Sequence, residues 1–130
     1  GRVMPEFISV ALKNPPLRLR DDGQARRSYC YLTDAIALIW RILLADEAKG
    51  EAFNVGNGQE EVSIADLARM IHEEVGVDEP VILGQKTNGL PGAPSRVCVS
   101  TEKAQAFFNY APSVSLRQGL HRTVEWMRGT

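Results

Sequence analysis

The stretch Arg27-Ser28-Tyr29-Cys30-Tyr31-Leu32-Thr33-Asp34, the apolar run behind it, and then Phe53-Asn54-Val55-Gly56-Asn57 constrain this chain more than any other part of it. Ser28 to Leu32 reads as a short aromatic strand with Arg27 at its head. Thr33 and Asp34 are both good helix N-caps, and Ile36, Ile39, Trp40, Leu43 and Leu44 mark an apolar face that runs until Lys49-Gly50. This is expected to be the most buried helix. Ala52-Phe53-Asn54-Val55 is too short and apolar to be amphipathic and is closed by Gly56-Asn57-Gly58, so it is expected to be a buried strand running into a turn. An arginine heading one strand and an asparagine ending another outline an anion and sugar pocket.

The flanking segments are punctuated clearly. Val3, Phe7, Val10 and Ala11 recur at helical spacing, and the spacing predicts a helix from Met4 to Lys13 that stops before Asn14-Pro15-Pro16. Leu17 and Leu19 alternate with Arg18 and Arg20, as in a short half-exposed strand, before the turn Asp21-Asp22-Gly23. Ser63-Ile64-Ala65-Asp66 resembles a capping box, and Ile64, Leu67, Ala68, Ile71 and Val75 form one stripe that ends at Gly76. Val81 to Leu83 reads as a strand, 84–94 as an irregular loop, and Arg96 to Val99 as extended. Ser100 is expected to cap a short helix through Phe108, and Ser115 with Gln118 a final one carrying Leu116, Leu120, Val124 and Met127.

Alternating strands and helices argue for an α/β fold, or a small α+β-like one, over a single domain of 130 residues. The strands are too few and too short to cover all the helices, so the domain is expected to lean on something else. Fifteen Lys and Arg against sixteen Asp and Glu leave a formal charge of -1, which gives no global field toward nucleic acid or an anionic membrane. No apolar run approaches the ~18 residues of a membrane span, and a cytoplasmic protein is expected. Cys30 and Cys98 lack metal-site spacing and are expected to be buried free thiols; His72 and His121 are expected at the surface or at helix edges, with no metal. No Gly-rich phosphate loop and no Tyr-x-x-x-Lys pair occurs in the chain.

Taken in order, Val3-x-Pro5-x-Phe7-Ile8, Pro16-Leu17, Gly23, Arg27-x-Tyr29-x-Tyr31-x-x-Asp34, Phe53-Asn54-Val55-Gly56 and Ser100-x-x-Lys103-Ala104 resemble the C-terminal part of extended short-chain dehydrogenases/reductases. That family includes NAD-dependent nucleotide-sugar epimerases, 4,6-dehydratases and decarboxylases. The resemblance implies a division of labour. An N-terminal Rossmann domain, absent from this chain, holds NAD and supplies the catalytic Tyr and Lys. The C-terminal part holds the nucleoside diphosphate. The chain alone would then have no catalytic residues and bind no coenzyme. Its partners would be a nucleotide sugar (UDP-, dTDP-, CDP- or GDP-linked), the missing Rossmann half and a second copy of itself.

Position by position, the resemblance makes Arg27 the contact to the diphosphate, a task suited to a planar guanidinium. The alternative is a surface arginine paired with Asp21, Asp22 or Asp34. Asn54 matches an asparagine that donates to a phosphate or sugar oxygen; alternatively it stabilises the turn before Gly56. Val3, Met4 and Pro5 match the segment lying against the base, and Leu17 and Leu19 the opposite wall, although all five also suit ordinary packing. Arg96 matches a second diphosphate arginine, or is simply solvated. The usual Arg-Pro-Gly loop reads Leu90-Pro91-Gly92 here, so Arg96 would have to compensate. Two readings compete: the substrate-binding portion of an epimerase or dehydratase of sugar-nucleotide metabolism, or a noncatalytic, self-associating module that retains the fold.

Overall fold

The computed structural model describes residues 2–86 and 94–130. Its elements, in chain order, are α1 (Val3–Lys13), β1 (Arg26–Ser28), α2 (Leu32–Leu44), a 3-10 turn (Asp46–Ala48), β2 (Glu61–Ser63), α3 (Ile64–Val75), β3 (Arg96–Val97), α4 (Glu102–Phe108) and α5 (Leu116–Arg128). The fold is small α/β, as expected, and helices dominate.

The main core is a helical layer. α1, α3 and α5 pack on one another through Ile8, Ala11, Leu67, Ala68, Ile71, Leu120 and Val124, all essentially without solvent contact. In α3 the spacing Leu67, Ala68, Ile71 places three apolar side chains on one face, and each large one contributes about 1.5–3 kcal/mol by leaving water. Both ends of α3 are closed locally. The Ser63 hydroxyl accepts from the Asp66 N–H at 3.0 Å, and Gly76 takes a left-handed conformation (φ 83°) while its N–H returns to the His72 carbonyl. α5 starts in a complete capping box between Ser115 and Gln118.

His72 is not the surface residue its polarity suggested. It is buried in the layer, where Nε2 accepts from the Leu17 N–H at 3.0 Å and Nδ1 lies 2.9 Å from the Glu79 carbonyl. The ring is therefore Nδ1-protonated, and it supplies the acceptor that the buried Leu17 amide would otherwise lack. Leu17 and Leu19 are core residues beneath α1 and α3 rather than half of a regular strand. Their segment makes a single parallel bridge, Arg18 to Ile82, in place of two strands.

The sheet is equally small. β2 pairs antiparallel with β1 (Arg26↔Ser63, Arg27↔Val62, Ser28↔Glu61), and β3 pairs parallel with β1 (Arg26↔Arg96, Arg27↔Val97). The central strand covers Arg26–Ser28 rather than Ser28 to Leu32, because Leu32 already begins α2. Thr101, not Ser100, occupies the N-cap of α4, without a side-chain capping bond. Its hydroxyl instead accepts from the Gln105 amide at 2.9 Å.

The largest departure from expectation is α2. Its inward side carries Asp34 and Leu38, and Leu38 joins Ala104 and Tyr110 in a second, smaller core with Ile42, Phe53, Val55 and Phe108 around it. The other side faces solvent: Trp40 is 57% exposed, Leu43 69% and Leu44 79%, with Leu32, Ile36 and Ile39 beside them. A helix that is apolar on every side is built to be covered on every side; here only one side is. The same holds for Ala52–Val55, which forms no strand among the described residues. Ala52 and Asn54 are exposed, while Phe53 stacks against Phe107 and Phe108 with centroids 5.1 and 5.0 Å apart.

One buried carboxylate ties α2 to the chain ahead of α5. Asp34 accepts from the Ser113 hydroxyl (2.7 Å), the Ser113 N–H (3.1 Å) and the Val114 N–H (2.9 Å), and its own carbonyl accepts from the Tyr110 hydroxyl (3.0 Å). Burial pushes the Asp34 carboxyl up, but the Val114 and Ser113 bonds outweigh it, with help from Arg122, and hold it below the ordinary aspartate value. Burial pushes the Tyr110 phenol up to about 12.

Candidate functional site

β1, the start of α1 and the turn after Val55 surround a groove of about 620 Å³, within the range of small-molecule sites. Its lining is Arg2, Val3, Met4, Pro5, Arg27, Ser28, Tyr29, Cys30, Val55, Gly56, Asn57, Val97 and Val99. The composition is asymmetric. Apolar surface predominates, and among the described lining residues two guanidiniums are the charged groups and none is a carboxylate.

Arg27 is aimed by backbone rather than by an acid. One of its terminal nitrogens donates to the Arg26 carbonyl at 2.7 Å and the other to the Pro94 carbonyl at 3.1 Å. The Asp side chains considered as partners are engaged elsewhere: Asp21 accepts from the Gly23 N–H, Asp22 from the Gln24 N–H, and Asp34 as described. With its charge not neutralised by these acids and donors left over, the guanidinium suits an incoming anion.

The floor depends on glycine. A Cβ on Gly56 would lie 2.3 Å from Val99 Cγ1, and one on Gly58 2.4 Å from the Val99 carbonyl oxygen. Only bare backbone lets the 56–58 turn close against the strand-like segment ending at Val99. Asn57 is buried within this turn, its side-chain carbonyl accepting from the Gln59 N–H at 2.9 Å.

Two titratable side chains besides the arginines line the groove, and burial acts on both. Burial raises the Tyr29 phenol above its ordinary value, against a smaller pull from Arg27. Burial also raises the Cys30 thiol, which is half-buried rather than buried, and the Asp34 charge adds to the effect. Neither group is a base or a thiolate near neutral pH.

Of the residues singled out from sequence, the structure brings Val3, Met4, Pro5 and Arg27 together in this groove. Asn54 is next to it in the chain but outside its lining, with its amide donating to the Ser100 carbonyl at 3.0 Å. Leu17 and Leu19 lie in the helical core, outside this groove; Leu17 borders a separate cleft of about 220 Å³ beside Pro15-Pro16. Arg96 is held by Glu61 through Nε at 2.8 Å and a second nitrogen at 3.0 Å, and Glu61 also takes Arg26 at 3.2 Å. The Arg96 bond, more than any other contact, keeps the Glu61 carboxyl below its usual range. Neither Arg26 nor Arg96 lines the groove, whereas their neighbours Arg27 and Val97 do. Leu90, with the rest of 87–93, lies outside the described residues.

Sequence reasoning missed Arg2, Tyr29, Asn57, Val97 and Val99. Arg2 adjoins the Val3-x-Pro5 motif and Tyr29 lies two residues beyond Arg27, so local signals existed for both. Nothing local marks Val97 and Val99, which reach the groove only through the parallel pairing of β3 with β1.

The comparisons with known proteins agree with this architecture. The model of the NAD dependent epimerase/dehydratase family matches residues 1–56. The chain is 34% identical over 98% of its length to dTDP-4-dehydro-6-deoxy-D-allose reductase of Streptomyces bikiniensis, of which it covers 37%. An epimerase of Methanothermobacter thermautotrophicus superposes with a TM-score of 0.87 at 29% identity, covering 99% of this chain and 38% of that one. The UDP-glucuronic acid 4-epimerase of Bacillus cereus, solved with UDP-glucuronic acid and NAD, superposes with a TM-score of 0.84 at 26% identity over 98% of this chain and 40% of its own. The chain thus corresponds to a portion of the NAD-dependent nucleotide-sugar epimerases and dehydratases of the extended short-chain dehydrogenase/reductase type. It spans between a third and two fifths of the length of the relatives named here.

Proposed function

We propose that this chain is the nucleotide-sugar-binding portion of an NAD-dependent epimerase or dehydratase, with Arg27 gripping the diphosphate and Val3, Met4 and Pro5 lying against the base. The observation that carries this reading is the groove itself: a guanidinium fixed by two backbone carbonyls, in a mostly apolar groove with no acid among its described lining residues. A nucleoside diphosphate has that polarity, a flat apolar base joined to a compact polyanion. Asn54, beside the groove, keeps a second amide N–H and its side-chain carbonyl for the ligand while the first N–H donates to the Ser100 carbonyl.

NAD belongs to the other lobe in this reading. The sequence holds neither a Gly-rich phosphate loop nor a Tyr-x-x-x-Lys pair, which supports placing the coenzyme there. The solvent-facing side of α2 and the unpaired 52–55 segment are the surfaces that a coenzyme-holding lobe would cover. An apolar area of that kind marks an interface.

The test is a titration of the chain with UDP-, dTDP-, CDP- and GDP-sugars while following thermal unfolding. A ligand at a hundred times its Kd stabilises the chain by about 2.7 kcal/mol through mass action, and Arg27→Ala should abolish the shift. No shift with any of the four nucleotides, in a chain that unfolds cooperatively, would overturn the reading.

A further inference from the structure

We infer that Glu61, which is not among the described residues lining the groove, is a positioning residue for Arg27: by holding Arg96 it fixes the segment whose Pro94 carbonyl aims the Arg27 guanidinium. The consequence for ligand affinity rests on the nucleotide-binding reading above. Along β1 successive side chains point to opposite faces of the sheet. Arg26 and its partner Arg96 share one face, and Arg27 and Val97, which both line the groove, share the other. Glu61 stands on β2, diagonal to Arg26 across the antiparallel pair. Its carboxylate meets Arg26 Nε at 3.2 Å and reaches over the central strand to two Arg96 nitrogens at 2.8 and 3.0 Å. One acid thus ties all three strands together on the face away from the groove.

The link matters because β3 has little apolar anchorage. Its two residues are exposed, and neither belongs to either hydrophobic core. Backbone pairing holds it to β1, where the Arg26 N–H donates to the Ser95 carbonyl at 2.8 Å. Pro94, two residues before Arg96, supplies the carbonyl that accepts from one Arg27 terminal nitrogen at 3.1 Å. A shift of β3 therefore carries away the acceptor that orients Arg27, and moves Val97 in the groove wall with it. Arg27 would keep only the carbonyl of its neighbour Arg26, and its long side chain would regain rotamers that binding must then freeze. The direct field of the carboxylate acts in the opposite sense, since a negative charge near an anion site disfavours the anion. Positioning and simple electrostatics thus predict opposite signs for the loss of Glu61.

The experiment compares the full chain with Glu61→Gln, which removes the charge at constant size. UDP affinity is measured by calorimetry, and the order of the Arg27 side chain without ligand by the heteronuclear NOE of its Nε–H, which reports motion faster than nanoseconds. Ligand-free unfolding midpoints fix a temperature at which both proteins are folded; they should differ little, because exposed ion pairs add little to global stability. Glu61→Gln should weaken UDP by about threefold or more and should lower the Arg27 NOE. Arg96→Ala, which breaks the same link from its other end, should lower that NOE likewise. A Glu61→Gln affinity within about threefold of the parent, or tighter than it, or an Arg27 NOE unchanged in both variants, would overturn the inference. Failure of the parent chain to bind UDP would instead remove the nucleotide reading, and the Arg27 NOE would still decide whether Glu61 positions that side chain.

Discussion

Replacing Asp34 with alanine should cost the chain about 2.5 to 4 kcal/mol, and the structure shows where that figure arises. The Val114 N–H is buried and donates to the carboxylate at 2.9 Å. Losing a charge-assisted bond to a buried donor costs about 1.5–3 kcal/mol. The two Ser113 bonds are part-buried, so water takes over in part, and together they add roughly 1 kcal/mol. Against the ~5–15 kcal/mol typical of a domain, that is a large fraction, and it would loosen α2 from the segment leading into α5. Asp34→Asn retains one neutral acceptor and should fall between. The assay is urea unfolding of the three proteins, comparing midpoints at common slope. The pH dependence supplies a second check. Because the folded carboxyl sits below the ordinary aspartate value of ~3.9, its contribution is complete above that value and is lost as pH falls through the folded one. The gap between parent and Asp34→Ala should therefore be constant from neutral pH to about 5 and close in stronger acid. A gap under about 1 kcal/mol at neutral pH, or one that widens in acid, would refute the account of this carboxylate as a hydrogen-bonded clamp.

Other residues make sharper local statements. His72→Ala leaves the Leu17 N–H without its acceptor inside the core and should cost about 2–3 kcal/mol, with faster hydrogen exchange at the Leu17 amide; exchange unchanged from the parent would show that the bond does not hold that segment. Gly56→Ala places a methyl 2.3 Å from Val99 Cγ1 and should cost about 1–3 kcal/mol. Adding Val99→Ala should recover part of that loss, and no recovery would point to a backbone rather than a side-chain conflict at position 56.

Much of the helical framework was legible along the chain because its signals are local. Ser63, Gly76, Ser115 and Gln118 cap or end their helices through groups within a few residues, and the stripe of α3 is visible from periodicity alone. Arg27 and the Val3-Met4-Pro5 segment could be found because a recognisable motif surrounds each. His72 could not. A histidine flanking an apolar stripe has the same sequence appearance whether it meets water or a backbone N–H fifty-five residues away. Arg96 and Arg27 likewise look equivalent as strand arginines, and only the placement of Glu61 on β2 separates the one that is neutralised from the one that is not.

By itself, then, the order of residues determined the class of fold, the caps of α3 and α5, the absence of a coenzyme loop within the chain, and one arm of the groove, all of which depend on neighbours in sequence. Tertiary structure alone decided which guanidiniums share that groove, which imidazole is interior, and that the most apolar helix keeps one side in solvent. Those outcomes follow from pairings across β1, β2 and β3 and from which surfaces find a partner. The hydrophobic pattern of a helix states that a face prefers burial; only packing determines whether another surface arrives to cover it.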